Sequence, residues 1–304
     1  MIFKSLKTRY FNTNAIQPQH KHKIKLMTTK VNFTKMHGCG NNYIYVYLPD
    51  NPIPDLQKAS IEWSKQHFGI GSDGLITIDK SDKADFQMRI FNNDGSEAMM
   101  CGNGVRCCAK FVRDHNLTDK KVVTFDTLSG VKVIELFEDE NGVVDSARVD
   151  MGELRLKNKE QLATEDGGMI DGEVGGWRGT YVCMGNPHFV IFVDDISKID
   201  LPVDGKAMEF NAMFPERCNI EFAQLLPDGR IRMRVWERGS GITMACGTGA
   251  CATSVAATLT QNTGRTNTIV MDGGPLTIEW GEDNHIYMTG PATTVFEGKI
   301  DLPK

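Results

Sequence analysis

The stretch MRIFNNDGSEAMMCGNGVRCCAKFV, Met88–Val112, places a cysteine where a polar turn becomes a helix. Cys101 is followed by Gly-Asn-Gly (102–104), whereas a core cysteine would have apolar neighbours. From Val105 onwards, apolar residues recur at positions i, i+3, i+4 and i+7, which predicts a helix with an apolar stripe. The cysteine therefore marks the start of that helix.

A second stretch of the chain repeats this arrangement. Cys246 begins the sequence Cys-Gly-Thr-Gly-Ala, and apolar residues again follow at helical spacing. The two cysteines are 145 residues apart (246 − 101), and two further pairs keep this separation: Asn41 with Asn186, and Asn92 with Glu237. Three pairs in one register indicate an internal duplication.

Most other apolar segments are short, rich in β-branched residues and bounded by Gly, Asp, Asn or Pro, as strands are. A fold with many strands and one apolar helix per half belongs to the α/β (α+β) class. We expect two pseudo-symmetric halves that meet near residue 146, each a sheet wrapped around one helix. The predicted strands are Lys121–Asp126, Val131–Phe137, Phe189–Val193, Ile220–Leu225, Ile231–Trp236 and Leu276–Trp280.

Length and composition narrow the class of protein. The chain has 304 residues, of which 40% are hydrophobic and 24% charged, so we expect a soluble globular protein. The formal net charge of −5 argues against a nucleic-acid binder, and no apolar run is long enough to span a membrane. Eight irregularly spaced cysteines favour reduced thiols and a cytoplasmic location.

The first thirty residues differ from the rest of the chain. They contain seven lysines and arginines, no acidic residue and no apolar core for a secretory signal. Their single Arg and single Ser match an organelle transit peptide poorly, so a plastid location is the second choice. We predict a disordered basic tail over residues 1–30.

A cysteine at a helix start has a particular chemistry. The thiolate is its reactive form, and the positive end of the helix lowers the pKa of a thiol placed there. The unpaired backbone N–H groups of the first turn can bind a carboxylate. Because related halves place equivalent helix starts at a shared cleft, we expect Cys101 to face Cys246. One thiol would then remove a proton from one face of a carbon atom while the other protonates the opposite face.

Three other functions compete with this interpretation. A metal site is not expected, because neither cysteine has a Cys-x-x-Cys or His partner at ligand spacing. A cysteine nucleophile with His188 as its base would leave the second cysteine unexplained. A non-catalytic module that binds small molecules would not need two cysteines at matched helix starts.

The segment Gly69–Gly74 matches the dinucleotide-binding pattern Gly-x-Gly-x-x-Gly. That pattern requires a strand before it and a helix after it. Here a helix is predicted over Leu56–Gln66 and a strand over Leu75–Ile78, which is the reverse order. We therefore interpret the segment as a turn.

The chain resembles the diaminopimelate epimerase family from about Phe33 to Gly298. Both cysteine motifs are present in order, and this combination is highly specific. The matching segments are FTKMHGCGNNYIYV (33–46), FGIGSDGLI (68–76), MRIFNNDGSEAMMCGNGVRCCAKFV (88–112), MGNPHFVIFV (184–193), FPERCNIEF (214–222), VWERGSGITMACGTGACATSVAA (235–257) and NHIYMTGPATTVFEG (284–298).

This resemblance implies a reaction and a fold. The family interconverts L,L- and meso-diaminopimelate in lysine biosynthesis without pyridoxal phosphate or metal, so no cofactor is expected. Its fold has two pseudo-symmetric halves, each a central helix inside a β-rich barrel-like sheet, and the last strand returns to the first half. The N-terminal half would comprise residues 31–145 and 292–304, and the C-terminal half residues 146–291. By analogy we expect a homodimer.

The resemblance also implies roles for individual residues. Cys246 would accept the proton of the L,L substrate and Cys101 would donate one, with the roles exchanged in reverse. His188 and Glu237 would tune the pKa values of the thiols. The substrate-binding residues would hold the reacting carboxylate (Gly102, Asn103, Gly247 and Thr248), contact the reacting centre (Asn41) and hold the distal amino-acid end (Asn92, Asn186, Asn219, Glu237 and Arg238).

Two positions depart from the family pattern. Asn42 replaces the usual aspartate, and Gly74 stands where some members have a glutamine that touches the substrate amine. Since relatives with this fold racemise other amino acids, the alternative function is a cofactor-independent racemase of another amino acid, such as histidine. Glu237 next to Arg238 favours a substrate with a second amino-acid head, because a guanidinium matches a carboxylate and a carboxylate accepts from an ammonium.

Overall fold

The computed structural model describes residues 30–303. The basic tail predicted for residues 1–30 lies outside this part of the chain, except for Lys30, which begins the first strand. No helix in the described part is long and apolar enough to cross a membrane.

The first half of the fold curls one sheet around one helix. Its strands β2 and β3 are parallel, β3 and β4 antiparallel, and β4 and β6 parallel, and β6, β7 and β8 follow in antiparallel order. The elements are β1 (Lys30–Gly38), β2 (Asn41–Tyr47), α1 (Leu56–Ser64), β3 (Gly74–Asp79), β4 (Phe86–Asn92), β5 (Glu97–Ala98), α2 (Gly102–Asp114), β6 (Val122–Thr127), β7 (Gly130–Glu138) and β8 (Val144–Glu153).

The second half repeats this topology. Its strands β11 and β12 are parallel, β12 and β13 antiparallel, and β13 and β15 parallel. The elements are β9 (Gly172–Val174), β10 (Trp177–Cys183), β11 (Pro187–Phe192), α3 (Leu201–Glu209), β12 (Asn219–Leu225), β13 (Ile231–Glu237), β14 (Gly241–Ile242), α4 (Gly247–Thr260), β15 (Thr266–Met271), β16 (Gly274–Trp280), β17 (His285–Pro291) and β18 (Thr293–Asp301).

The two halves share a register of 145 residues at the starts of four pairs of elements. Helix α3 begins at Leu201, 145 residues after α1 begins at Leu56 (201 − 56). The same separation relates the starts of β12 and β3 (219 − 74), β13 and β4 (231 − 86), and α4 and α2 (247 − 102). The duplication predicted from three residue pairs is therefore present in the folded elements, including the loops that join them.

Helices α2 and α4 lie inside the sheets of their halves. Every residue of α2 from Gly102 to Val112 is buried, and so is every residue of α4 from Gly249 to Ala257. A helix that is buried on all sides is a core helix. The prediction of one central helix in each half is confirmed. All eight cysteines are unpaired, and the six that do not begin a motif are buried: Cys39, Cys107, Cys108, Cys183, Cys218 and Cys251.

Two antiparallel strand pairs connect the halves. β8 pairs with β17, and β18 returns to pair with β1 from Lys30 opposite Asp301 to His37 opposite Thr293. The division predicted between residues 145 and 146 falls inside β8, which pairs with β7 over the same residues.

The segment Gly69–Gly74 lies between the end of α1 and the start of β3, so the helix-before-strand order is as predicted. A dinucleotide fingerprint needs the opposite order. At Gly74 a Cβ atom would lie 2.1 Å from the carbonyl oxygen of Phe91. The backbone at this position therefore has no room for a side chain.

Candidate active site

The two motif cysteines cap the two central helices in the same way. Cys101 is the N-cap of α2 and Cys246 the N-cap of α4, both with extended backbone (φ −134° and −124°). The Sγ atom of each accepts a hydrogen bond of 3.4 Å from the amide three residues later, Gly104 and Gly249 respectively. An N-cap side chain lies over the first turn, where backbone donors are unpaired. Each thiol is therefore held beside an anion-binding helix end.

The starts of α2 and α4 meet across one side chain, that of Met288. A Cβ atom on Gly102 would lie 2.6 Å from Met288 Cε, and one on Gly247 would lie 3.1 Å from Met288 Sδ. Glycine at both positions allows this close approach. The two helix ends consequently converge on a single region of the molecule.

Residues of β2 hold the thiol of Cys101. The thiol donates to Asn41 Oδ1 at 3.2 Å, and Asn41 Nδ2 donates to Asp73 Oδ2 at 3.0 Å. The same carboxylate oxygen accepts from the backbone N–H of Asn42 at 2.7 Å and from its side-chain amide at 3.2 Å. Asp73, which the sequence did not single out, thus fixes the amide that contacts the first cysteine.

A chain of hydrogen bonds runs from Cys246 into the core of the second half. Its Sγ lies 3.5 Å from Thr248 Oγ1, which accepts from Asn186 Nδ2 at 3.4 Å. Asn186 Oδ1 lies 3.0 Å from His188 Nε2, and His188 Nδ1 lies 2.7 Å from Glu221 Oε1. The predicted residues Asn186, His188 and Thr248 are therefore joined to the second cysteine.

Glu221 is a functional candidate that the sequence did not reveal. Both Glu221 and His188 are fully buried, and Glu221 Oε2 has no hydrogen-bond partner among the described residues. Its other oxygen would lie 2.7 Å from a Cβ atom on Gly249. The carboxylate is thus packed against the first turn of α4, where the helix dipole favours negative charge.

Glu237 ends β13 and Arg238 follows it, close to the second cysteine. Burial raises the pKa of Glu237, and the hydrogen bond from Thr243 and the charge of His188 oppose that rise. Arg238 is half-buried, and its guanidinium donates to the backbone oxygen of Glu216 at 2.9 Å. Thr243 is a further contact that the sequence did not indicate.

Asn219 and Asn92, which were predicted for the distal site, form hydrogen bonds within the protein. Asn219 donates to the carbonyl oxygen of Pro187 and accepts from the backbone N–H of Arg238, both at 2.9 Å. Asn92 ends β4 opposite Gly74 and donates to Ser96 Oγ at 3.0 Å. Within residues 30–303, no hydrogen bond joins Asn92 to the residues around the cysteines.

Asn103 and Arg106 form a buried pair in α2. Arg106 Nη2 donates to Asn103 Oδ1 at 2.9 Å. Because a guanidinium can only donate, this bond fixes which side of the Asn103 amide carries the oxygen. A Cβ atom on Gly247 would lie 4.0 Å from that oxygen, so Asn103 lies between the two helix starts.

Burial raises the pKa of the Cys101 thiol. The backbone N–H groups of Gly104 and Asn103 and the charge of Arg106 lower it, while the carboxylate of Glu237 raises it further. The helix start thus acts in the predicted direction, but removal of the thiolate from water outweighs it.

The pKa of Cys246 is held well above that of an ordinary thiol. Burial is the main cause, and the carboxylates of Glu237 and Glu221 add to it, against the hydrogen bonds from Thr248 and Gly249. Glu237 therefore acts on both thiols. Among the described residues, no group of three or more His, Cys, Asp or Glu side chains is arranged to hold a metal ion.

Two open cavities lie on the outer side of the first half. Their volumes are about 490 and 460 Å³, and Phe111, His115 and Glu297 line both. Neither cavity is lined by Cys101 or Cys246. The candidate site is therefore identified by the two helix starts and the titratable groups beside them, and not by cavity volume.

Comparison with known proteins identifies relatives along most of the chain. The family profile of Diaminopimelate epimerase matches residues 33–157 and 180–295. The diaminopimelate epimerase of Phocaeicola vulgatus is 57% identical over 283 residues, which cover 91% of this chain and 100% of that protein. That of Bacteroides thetaiotaomicron is 57% identical over 277 residues, covering 90% and 100%. An archaeal relative, from Methanococcus maripaludis, is 50% identical over 276 residues, covering 89% and 99%.

Solved structures share the fold at low sequence identity. A phenazine biosynthesis protein of the PhzF family from Bacillus anthracis has a TM-score of 0.65 at 17% identity, covering 89% of this chain and 99% of that one. A hydroxyproline epimerase from Agrobacterium vitis, with bound trans-4-hydroxy-L-proline, has a TM-score of 0.61 at 15% identity, covering 90% and 91%. These similarities support the two-repeat architecture.

Proposed function

The chain belongs to the diaminopimelate epimerase family, and from that premise we propose how its residues perform the reaction. The activity is that of an isomerase, which interconverts L,L- and meso-diaminopimelate in lysine biosynthesis. Cys101 and Cys246 are the acid and the base. The observation that carries this assignment is their equivalent position as N-caps of the two central helices, whose starts converge on Met288.

The reacting carboxylate binds between the two helix starts. Gly102, Asn103, Gly247 and Thr248 occupy the first turns of α2 and α4, where backbone N–H groups lack helical acceptors. Both helix dipoles point their positive ends at the same place, which favours an anion there. Charge that develops on the carboxylate when the α-proton leaves is stabilised by the same donors.

The proton transfers are balanced between the two thiols. With the L,L isomer, the thiolate of Cys246 takes the α-proton, and the S–H of Cys101 gives its proton to the opposite face of the carbanion. The protein is left with a thiol at Cys246 and a thiolate at Cys101, and the reverse reaction starts from that state. Asn41, which accepts from the Cys101 thiol, lies at the reacting centre.

The distal amino-acid head binds at the ends of β4, β11, β12 and β13. Glu237 accepts from its ammonium group and Arg238 pairs with its carboxylate, with Asn92, Asn186 and Asn219 as additional donors and acceptors. Glu237 also tunes both thiols, and His188 acts on Glu237 through its charge. Arg238 would have to exchange its bond to the Glu216 carbonyl for the substrate.

The experiment that tests this function is deuterium exchange at the α-carbon over a panel of amino acids in heavy water. Diaminopimelate should exchange and epimerise, whereas lysine and histidine should not. They lack a second amino-acid head, so the buried polar groups of the distal site would stay unpaired, at about 1–3 kcal/mol each. Exchange of histidine at the rate of diaminopimelate would instead establish the alternative function, a racemase of another amino acid.

We also propose that the protein is a homodimer in the cytoplasm, with a plastid as the second choice of location. Eight unpaired cysteines fit a reducing compartment. Exposed apolar residues on the outer strands provide a surface for a second copy: Val122, Val131, Val133, Val295 and Phe296. Light scattering after size-exclusion chromatography should give twice the chain mass of 33.8 kDa, and a single chain mass would contradict the dimer.

A further inference from the structure

Arg106 is a fully buried cation in the second turn of α2. Its guanidinium donates to uncharged groups, namely Asn103 Oδ1 (2.9 Å), Gly102 O (3.2 Å), Pro291 O (3.3 Å), Met288 Sδ (3.7 Å) and the thiol of Cys39 (3.9 Å). Within residues 30–303, no carboxylate forms an ion pair with it. Its N–H groups have hydrogen-bond acceptors, but its positive charge is not neutralised. It therefore favours the ionised, negatively charged form of a neighbouring thiol.

The second half of the fold has no such cation. The position equivalent to Arg106 is Cys251 (106 + 145), a buried thiol. The opposite holds for Glu221, whose counterpart in the first half is Ile76 (221 − 145). Geometry supports this equivalence, because a Cβ atom on Gly104 would lie 2.7 Å from Ile76 Cδ1, and one on Gly249 would lie 2.7 Å from Glu221 Oε1.

The two halves therefore place different charges behind equivalent cysteines. The start of α2 has an unpaired arginine behind it, whereas the start of α4 has a carboxylate against it. We propose that Arg106 is a positioning residue that makes the two thiols unequal, so that the resting protein ionises first at Cys101 and keeps Cys246 protonated. This inference rests on the proposed function, because it states which of the two cysteines is ionised, and so able to act as the base, before the substrate binds.

Other titratable groups around Cys101 do not account for the difference. Cys101 also faces Glu237, Tyr43, Tyr45 and the thiols of Cys107 and Cys108. Burial raises the pKa of both tyrosines and of both neighbouring thiols, so they stay neutral near pH 8.

Cys246 faces two carboxylates, Glu237 and Glu221. Glu237 acts on both cysteines and cannot separate them. His188 Nδ1 lies 2.7 Å from Glu221 Oε1. The charges that distinguish the two cysteines are therefore Arg106, which acts on the first, and Glu221, which acts on the second.

The test is the pH dependence of alkylation at each cysteine. The full-length protein without substrate is treated with iodoacetamide between pH 6 and 10, and the alkylated Cys101 and Cys246 peptides are quantified by mass spectrometry. We compare the pH at which each cysteine reaches its half-maximal alkylation rate, and not the rate itself. Limited access of the reagent to a thiol lowers its alkylation rate by the same factor at every pH. In the wild-type protein, Cys101 should reach half-maximal rate at lower pH than Cys246. The reverse order would overturn the proposal without any variant.

Two variants separate charge from packing. Arg106→Met removes the charge and should slow alkylation of Cys101 at pH 8 by roughly tenfold, as loss of one nearby opposite charge does, while the midpoint of Cys246 stays in place. Arg106→Lys retains the charge and should keep the Cys101 midpoint near the wild-type value. Equal shifts at both cysteines, or the same result for both variants, would show a merely structural role. Alkylation in the predicted order without diaminopimelate epimerisation would contradict the proposed function alone.

Discussion

Cys101 and Cys246 occupy the same position in the two copies of the repeat, and each Sγ accepts a 3.4 Å hydrogen bond from the glycine amide three residues later. The two thiols differ in the side chain that each of them contacts. The first thiol donates to an asparagine of β2, whereas the second lies against Thr248 within its own helix. Equivalent geometry with unequal surroundings suits two groups that carry out the same proton transfer from opposite faces.

Replacement of either cysteine should abolish epimerisation. Cys101→Ala and Cys246→Ala each remove the only proton carrier on one face, and general acid–base groups contribute about 10²–10⁴-fold. Cys251→Ala, which removes a buried thiol from α4 outside the site, is the matched control and should retain most activity in the folded protein. Rates with L,L-diaminopimelate measured by chiral chromatography decide this. Near-full activity in either of the first two variants would rule out the two-thiol mechanism.

The value of kcat/KM should increase as the pH rises above neutrality. Burial raises the pKa of both thiols, so the thiolate that serves as the base is scarce at neutral pH and is gained as pH increases. Glu237→Gln removes a negative charge that raises both pKa values and should move this rise to lower pH. Glu216→Gln, at an exposed position, should leave the profile unchanged. A shift to higher pH in Glu237→Gln would contradict the assigned electrostatic role.

Two glycine substitutions should differ in their effect on stability. In Gly104→Ala the new Cβ meets the flexible end of Ile76, but in Gly249→Ala it meets the buried carboxylate of Glu221, at 2.7 Å in both cases. The second variant should be less stable than the first by about 1–3 kcal/mol, the usual cost of overpacking. Urea denaturation measures both. Equal free energies of unfolding would mean that Glu221 can move aside freely.

Truncation of Glu221 should destabilise the fold strongly. Its carboxylate lies 2.7 Å from Nδ1 of the fully buried His188. Removing one member of a buried pair typically costs about 3–5 kcal/mol, because the other is left without compensation. Glu221→Ala should lose this amount in chemical denaturation, and Glu216→Ala, an exposed neighbour in sequence, should lose little. A loss below about 1 kcal/mol would show that the pair is not a structural requirement.

The duplicated architecture could be predicted from the sequence because the repeat keeps its register through the loops. The helix after Cys101, the helix after Cys246 and the strand at Ile231 were all located from periodicity and turn residues. The convergence of the helix starts followed from symmetry. The boundary near residue 146 lies within β8 (Val144–Glu153) and stays a prediction.

Glu221 and Arg106 could not be recognised from local patterns. A glutamate in a strand suggests a solvent-facing side chain, but β12 is buried on both faces over Asn219–Ala223 because α3 packs on its outer side. An arginine in a helix suggests exposure, but α2 is enclosed on every side. Asp73 lies in a turn, where an acidic residue is ordinary. Each becomes visible only through contacts between distant parts of the chain.

The most direct test of the two-thiol account is the isotope content of substrate and product early in a reaction in heavy water. L,L-diaminopimelate is incubated with the wild-type protein in D₂O, and both isomers are analysed by mass spectrometry before a tenth has reacted. If one cysteine removes the proton and the other donates a solvent-derived deuteron, meso-diaminopimelate should carry one deuterium while the remaining L,L isomer carries none. Product that retains the original proton, or L,L substrate that gains deuterium as fast as product forms, would show that a single base serves both faces.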